Sequence, residues 1–475
     1  MHNTPYISAR WTSFEVRSSL LKVSLPISII VALAVTLMDS RLLFLSVMGL
    51  LVLAVFLARF DLGVCAFVVL VPLTIHSPVE LHHMISYSLS GMLVLSWLIR
   101  KLIQGQTFAS LDRGILMFMV FYTLWGFVSS LHSDYPSTGL FVTLRQLLFF
   151  AIFYILYDWM RSKKEIGLTV NAMITMGVIA SLPALAQLLS SGLANVFRLG
   201  NPMRFAGVYT GVNALAMHLS FILVLALSKF LYADLPRRRW FSLAWILIIA
   251  SALFFTFSRS GWLLAVVGVT IVLFRFKGGR MLLLTVLILL TLFLLLSPQI
   301  KEFLAMITRL EAGVTNRDIL WQGAIKMIKE NPIFGVGPGG FKHFIADCAP
   351  RYPWRWPVVR FGGITGGDSH NFFLSRAAET GIVGLVLILW FFVNYFKAYS
   401  RGTQKAKALK LEHVSFGAAA VVIGALARGF FEGKGIVGSG GGGFELFFWL
   451  MVAFTLKVSQ LPDNKPNTGI CSSLP

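Results

Sequence analysis

Apolar runs dominate the chain. Stretches close to the about 20 residues that a helix needs to cross a hydrocarbon core lie near residues 22–38, 42–58, 61–77, 84–103, 114–132, 141–160, 166–190, 208–232, 240–257, 260–275, 280–297, 371–397, 412–430 and 443–458. Backbone polar groups find no water inside lipid, so each run reads as a helix rather than an isolated strand. The first three are joined by short connections, which leaves a hairpin or a re-entrant segment open there. The pattern predicts an all-α polytopic membrane protein with about 12–14 transmembrane helices and one large outer loop containing short helices. The expected organisation is N-terminal transmembrane helices over 1–297, the loop over 298–370, C-terminal transmembrane helices over 371–458 and an inner tail over 459–475. The first run is followed at once by another and lacks a small-residue cleavage site, so it reads as a retained anchor.

Charge fixes the expected orientation. Only 13% of the residues are charged, against roughly 25% in soluble domains, yet 41 Lys and Arg face 20 Asp and Glu for a net charge of +21. In a soluble protein that excess would suggest a nucleic-acid surface. Short basic loops, however, stay on the cytoplasmic side of a membrane. With the N-terminus inside, 24 of the bases fall in inner segments and nine of the others lie in 298–370. Both termini are therefore expected in the cytoplasm, with membrane lipids rather than nucleic acid as the partner of the basic residues. Cys65, Cys348 and Cys471 have no metal-ligand spacing, so neither a metal site nor a redox pair is expected.

The 298–370 loop is too long for a connector and too polar to span, which makes it the first place to look for chemistry. Thr315 or Asn316 is placed to cap a helix starting near Arg317, with Asp318 in the first turn. Ile319, Leu320, Trp321, Ala324, Ile325 and Ile328 recur at helical spacing opposite Arg317, Lys326 and Lys329, and Pro332 stops the run. Such a helix either lies on the membrane as a packing element or helps to grip a substrate. Gly335 to Gly340 lacks the Lys-Ser/Thr pair and the preceding strand of a phosphate-binding loop, so a tight turn aiming the chain at Lys342 and His343 is expected. Tyr352, Trp354 and Trp356 alternate with Arg351 and Arg355, with Arg360 following; they suit either stacking on sugars or anchoring to headgroups.

Asp368-Ser-His370-Asn371 stands at the mouth of the next span, with Gly381 and Gly384 eleven and fourteen residues beyond His370. At about 100° per residue the two glycines return close to the histidine's face, so they suit close approach of a helix or a lipid chain. Arg376 and Glu379, three residues apart, are expected to pair within the span, while Glu432 and Glu445 flank the last outer turn and receive no role.

His-Asn followed after nine residues by Gly-x-x-Gly, behind a long outer loop, resembles the bacterial O-antigen ligase and O-antigen polymerase family of polytopic C-type glycosyltransferases. Three further stretches are similar to that family: Thr256-Phe-Ser-Arg-Ser-Gly-Trp262, Arg204-Phe-Ala-Gly207 leading to Asn213-Ala-Leu-Ala216, and Asn316-Arg-x-x-x-Trp321 with Asn331-Pro-x-x-Gly-x-Gly337. Where members often show Asn-Pro-Asn, this chain reads Gly211-Val-Asn213. The resemblance covers roughly residues 200 to 397; earlier spans add only hydropathy.

That resemblance implies a bacterial inner-membrane enzyme of lipopolysaccharide biosynthesis with a periplasmic active site and no cofactor. The donor would be an undecaprenyl diphosphate-linked glycan and the acceptor a lipid A-core sugar hydroxyl, or, for a polymerase of O-antigen or exopolysaccharide, a lipid-linked glycan. Arg259 and Arg204 would hold the diphosphate without a metal, since guanidinium suits phosphate oxygens and stays charged; for Arg259 the alternative is a simple interfacial anchor. His370 would take the proton of the acceptor hydroxyl, inverting the anomeric centre. Asp368 either orients the imidazole or caps the helix; Asn371, Gly381, Gly384 and Arg317 are supporting residues. A polysaccharide flippase or transporter, which would place polar sites near mid-membrane on broken helices, is the rival class.

Overall fold

The computed structural model describes residues 52–74, 79–196, 202–209, 211–232, 239–296, 305, 317–348, 368–438 and 442–461. The expected span at 22–38, the Thr315/Asn316 cap and the aromatic–arginine stretch 351–360 lie outside the described residues. The chain divides into two compact units, Met1–Phe60 and Asp61–Pro475. Within the first, residues 52–58 are helical.

Each apolar run from 61–77 onward contains a helix among its described residues, and no strand occurs among the described residues. In order these are α1 (Phe60–Leu73), α2 (Val79–Gln104), α3 (Arg113–Leu131), α4 (Pro136–Trp159), α5 (Lys163–Ser191), the single turn α6 (Leu193–Val196), α7 (Val212–Tyr232), α8 (Arg239–Phe255), α9 (Arg259–Arg275) and α10 (Gly279–Leu296). Two shorter helices of the loop follow, α11 (Arg317–Glu330) and α12 (Phe341–Cys348), then α13 (Phe372–Ala408), α14 (Glu412–Gly429) and α15 (Gly442–Gln460). By length and composition α3, α4, α5, α7 and α13 are each able to cross a membrane. The protein is an all-α, multi-pass membrane protein.

Small residues set how closely the helices approach. In the group α7, α9 and α14, a Cβ added at Gly261 would lie 2.6 Å from the Ala216 Cβ, and one at Gly424 would lie 2.7 Å from the Leu264 carbonyl oxygen. Association in lipid is driven by such packing and by interhelical hydrogen bonds; Ser220 Oγ donates to the Gly261 carbonyl at 2.8 Å. A second group, α3, α4 and α13, packs through large aromatics: Phe118, Phe150, Phe391 and Trp449 are fully or nearly fully buried. Trp449 belongs to α15, which touches both groups.

The helix over Arg317–Glu330 ends two residues before Pro332 as expected, but its buried face is centred differently. Leu320, Ala324 and Met327 are buried with Val336, Phe341 and Ala378 in a small core, whereas Ile325 is 43% exposed. Packing against α13 chooses that face.

Candidate active site

Two sharp helix entries build the site. At the first, Phe257 takes φ +47° and Ser258 caps α9, accepting from the Gly261 N–H at 3.4 Å. At the second, His370 takes φ +53° and Asn371 caps α13, its side chain accepting from the Leu374 N–H at 3.0 Å. A left-handed backbone costs a non-glycine residue about 1 kcal/mol or more and persists only where neighbours hold it. Asp368 does so for His370: its Oδ1 accepts the His370 backbone N–H at 2.7 Å.

The imidazole is oriented by a residue to which the sequence assigned nothing. His370 Nδ1 lies 2.8 Å from Glu432 Oε1 but 3.9 Å from Asp368 Oδ1. Asp368 therefore positions the backbone, Asn371 is the helix cap, and Glu432 holds the ring. Glu432 sits in the turn after α14, and its other oxygen accepts from Asn213 Nδ2 at 3.3 Å and Ser260 Oγ at 3.4 Å. Arg317 Nη2 approaches the same oxygen at 3.9 Å. Burial alone would push the Glu432 carboxyl up; the His370 hydrogen bond, then the charges of Arg428, His370 and Arg317, bring it down to about 2. For His370 burial works downward, but the Glu432 hydrogen bond and the charges of Asp368 and Glu432 outweigh it and raise the imidazole above its ordinary value. A buried carboxylate thus faces a ring made more basic than usual.

Arg204 joins this cluster through Asn213. Its Nη2 donates to Asn213 Oδ1 at 3.0 Å and its Nε to the Thr256 carbonyl at 3.0 Å, while Ser258 Oγ also donates to Asn213 Oδ1 at 2.9 Å. Arg259 follows directly on the cap and is partly buried. Arg428, near the end of α14, is 3% exposed and donates to the Lys434 carbonyl at 2.6 Å. Its spacing to Glu432, one helical turn at the end of an apolar run, is the sequence signal by which this pair was open to detection.

Gly381 does something other than offer a smooth groove. It interrupts α13 with φ +68°, and a Cβ there would lie 1.8 Å from the Ile333 carbonyl oxygen. The break admits the 332–337 turn as an added backbone layer: Ile382 N–H donates to Pro332 O at 2.8 Å, Val336 N–H to Ala378 O at 2.9 Å and Gly337 N–H to Glu379 O at 2.9 Å. Gly335, at φ +70°, has room for no Cβ because Glu379 and Gly381 backbone atoms stand within 2.6 Å. From α3, Trp125 Nε1 donates to Thr380 O at 2.7 Å and Ser129 Oγ to Phe334 O at 2.7 Å. Gly384 packs over Thr380 of its own helix. Arg376 and Glu379 pair at 2.8 Å, both buried, directly below this joint.

A profile described as O-Antigen ligase matches residues 243–389, a segment that holds the Ser258 and His370 entries, Arg317 and the Gly381 break. The Exopolysaccharide production protein ExoQ of Rhizobium meliloti (strain 1021) is 29% identical over 86 residues, which are 18% of this chain and 19% of that relative. The matched stretch thus spans about a fifth of the relative's length. The two matches support a relationship of this chain to the O-antigen ligase/polymerase family.

Proposed function

We propose that the chain is a glycosyltransferase of the bacterial inner membrane that moves a glycan from undecaprenyl diphosphate to a sugar hydroxyl, with both termini cytoplasmic and the His370 end of the bundle periplasmic. The carrying observation is the His370–Glu432 pair at 2.8 Å, with Arg317 beside the same carboxylate and Arg204 joined to it through Asn213. In the reaction His370 Nε2 takes the acceptor proton as its oxygen bonds to the anomeric carbon. The bond from that carbon to the diphosphate oxygen breaks on the opposite face, which inverts the centre. The departing lipid diphosphate gains negative charge, which Arg204, Arg259 and Arg317 meet as fixed guanidinium donors without requiring a metal. Glu432 keeps the proton of the neutral ring on Nδ1 and stabilises the imidazolium that forms. Solvent then takes the proton from Nε2.

The leading acceptor is a lipid A-core sugar, making the enzyme an O-antigen ligase. A polymerase using a lipid-linked repeat is the second reading, favoured by the similarity to a relative named for exopolysaccharide production. Deletion in the native host followed by lipopolysaccharide electrophoresis separates them: core without any O-antigen marks a ligase, core bearing a single repeat marks a polymerase. His370→Ala tests the chemistry, since glycan transfer at the unaltered rate would overturn it, and lost glycan flux with no transfer activity in the parent protein would mark a transporter.

A further inference from the structure

A second cleft opens beside the base. It measures about 250 Å³ and is walled by Thr138, Phe141, Val142 and Arg145 of α4, Gly339 and Lys342 of the loop, Asp368, Arg376, Glu379, Lys434 and Gly438. With the Glu432 cluster and its immediate supports it shares Asp368, which fixes the His370 backbone, and Lys434, whose carbonyl accepts from Arg428. The lining has four bases and two acids, an excess of two positive charges. The Arg376–Glu379 pair cancels internally, which leaves Arg145, Lys342 and Lys434 against Asp368. Arg145 is laid over the Phe141 ring at 5.7 Å. Arg376 is 4% exposed and its Nε has no hydrogen-bond partner, an orphan donor of the kind that buried sites keep for a ligand or a water.

An aromatic platform adjoins the cleft. Tyr135, one turn before Thr138, stacks on His343, the neighbour of Lys342, with centroids 4.2 Å apart and planes at 16°. Tyr135 is 41% exposed, so the stacked pair is held rigid while part of the tyrosine stays open. A flat aromatic beside cationic hydrogen-bond donors suits an acidic sugar.

We propose that this cleft is the acceptor subsite and that it selects an acceptor glycan carrying an anionic substituent, phosphate or carboxylate, close to the reacting hydroxyl. This deepens the transferase reading and rests on it. In-line displacement places nucleophile and leaving group on opposite faces of the anomeric carbon, and the basic residues fall into two groups: Arg317, at the start of α11, and Arg204, through Asn213, attach to Glu432, whereas Arg145 of α4 and Lys342 of α12 line the cleft that Asp368 borders. The first group meets the diphosphate; the second holds the incoming sugar.

The test uses the full chain in phosphatidylcholine nanodiscs and the host's own acceptor, intact or with phosphate removed and carboxylates reduced. Equilibrium binding and initial rates are measured for the parent protein, Arg145→Gln, Lys342→Gln and Tyr135→Ala, with thermal unfolding as the folding control. Each lost charge-assisted bond is expected to weaken the intact acceptor about tenfold, leaving kcat and the donor KM unchanged. The neutralised acceptor is expected to bind the parent and both Gln variants alike, and Tyr135→Ala to weaken both acceptors. Equal binding of the intact acceptor to parent and Gln variants overturns the proposal. So does a change in donor KM, which would give the cleft to the diphosphate, or a loss of acceptor binding on adding phosphatidylglycerol, which would give it to a lipid headgroup. Charge-dependent binding without any glycan transfer would overturn the transferase reading and leave the subsite standing; transfer without charge-dependent binding would do the reverse.

Discussion

Glu432→Gln separates a positioning role from a structural one. The substitution keeps size and shape and removes one charge. In the parent a carboxyl that ordinarily titrates at 4.5 is held at about 2, which corresponds to about 3 kcal/mol of preference for the ionised form in the fold. Because the folded value is depressed, that stability is present above about 4.5 and is lost as pH falls toward about 2. Thermal midpoints of parent and variant should therefore converge on acidification through that window. At neutral pH the Gln amide can turn its NH2 toward His370 Nδ1, which drives the ring proton to Nε2, the nitrogen that has to accept one. A fall in kcat/KM of about 10² to 10⁴ follows. The pH profile carries the sharper sign. Glu432 raises the His370 pKa and the base works when neutral, so in the parent the rate climbs as pH rises through that raised value. Without the carboxylate, burial dominates, and the rising limb moves to lower pH beneath a smaller plateau. The assay is kcat/KM for glycan transfer across pH at saturating donor. A lower rate with an unmoved limb reduces Glu432 to a structural residue; an unchanged rate and limb refute the His370–Glu432 couple.

Gly381→Ala demands φ +68° of an alanine and puts its Cβ 1.8 Å from Ile333 O, so the 332–337 turn has to lift off α13; about 2–4 kcal/mol of stability should be lost, read by thermal unfolding and by new proteolytic cleavage in that turn. Arg376→Met leaves buried Glu379 unpaired and should cost about 3–5 kcal/mol, whereas Arg376→Met with Glu379→Met should recover most of it, as measured by denaturation of the detergent-solubilised protein. Arg204→Lys keeps the charge but not the fork that reaches Thr256 O and Asn213 Oδ1 together; donor KM should rise about tenfold or more with acceptor KM unchanged, measured by initial rates.

Local signals carried the helices a long way. The 166–190 and 412–430 runs became Lys163–Ser191 and Glu412–Gly429, because hydropathy over about 20 residues is a property of the segment itself. Helix caps are equally local, yet the sequence left Asp368 open as the cap of α13 and the structure gives that place to Asn371. The site depended on residues brought together from distant parts of the chain: Asn213 meets Glu432 across 219 positions and His370 meets it across 62, and no periodicity encodes such meetings. Asp368, two residues from His370, was open as either the imidazole's partner or the helix cap, because sequence proximity is visible and a carboxylate in a distant turn is not. The common face read for Gly381 and Gly384 rested on a related assumption. Extrapolating 100° per residue assumes an unbroken helix, and the glycine that made the spacing noticeable is the one whose φ +68° breaks it. Ile325 was assigned to the buried face of its helix and is 43% exposed, whereas Ala324 of the same assigned face is buried and Met327, left out of it, is buried as well.

Asn213 shows how opposite charges are kept useful in a confined space. On the proposed reading, transfer creates a positive charge on His370 and a negative one on the leaving diphosphate. Glu432 faces the first and Arg204 is held for the second. Were Arg204 paired directly with Glu432, each would neutralise the other and neither would have field to spare at the moment of transfer. Asn213 stands between them instead, its Oδ1 accepting from Arg204 at 3.0 Å and its Nδ2 donating to Glu432 at 3.3 Å. A neutral amide is the side chain that satisfies a guanidinium with one end and a carboxylate with the other while cancelling neither. Aspartate would repel Glu432 and pair with Arg204; leucine would leave buried donors and acceptors unmet. The dipole also orients both partners before substrate arrives, so the groups that meet the developing charges need little reorganisation when the bond to the diphosphate breaks.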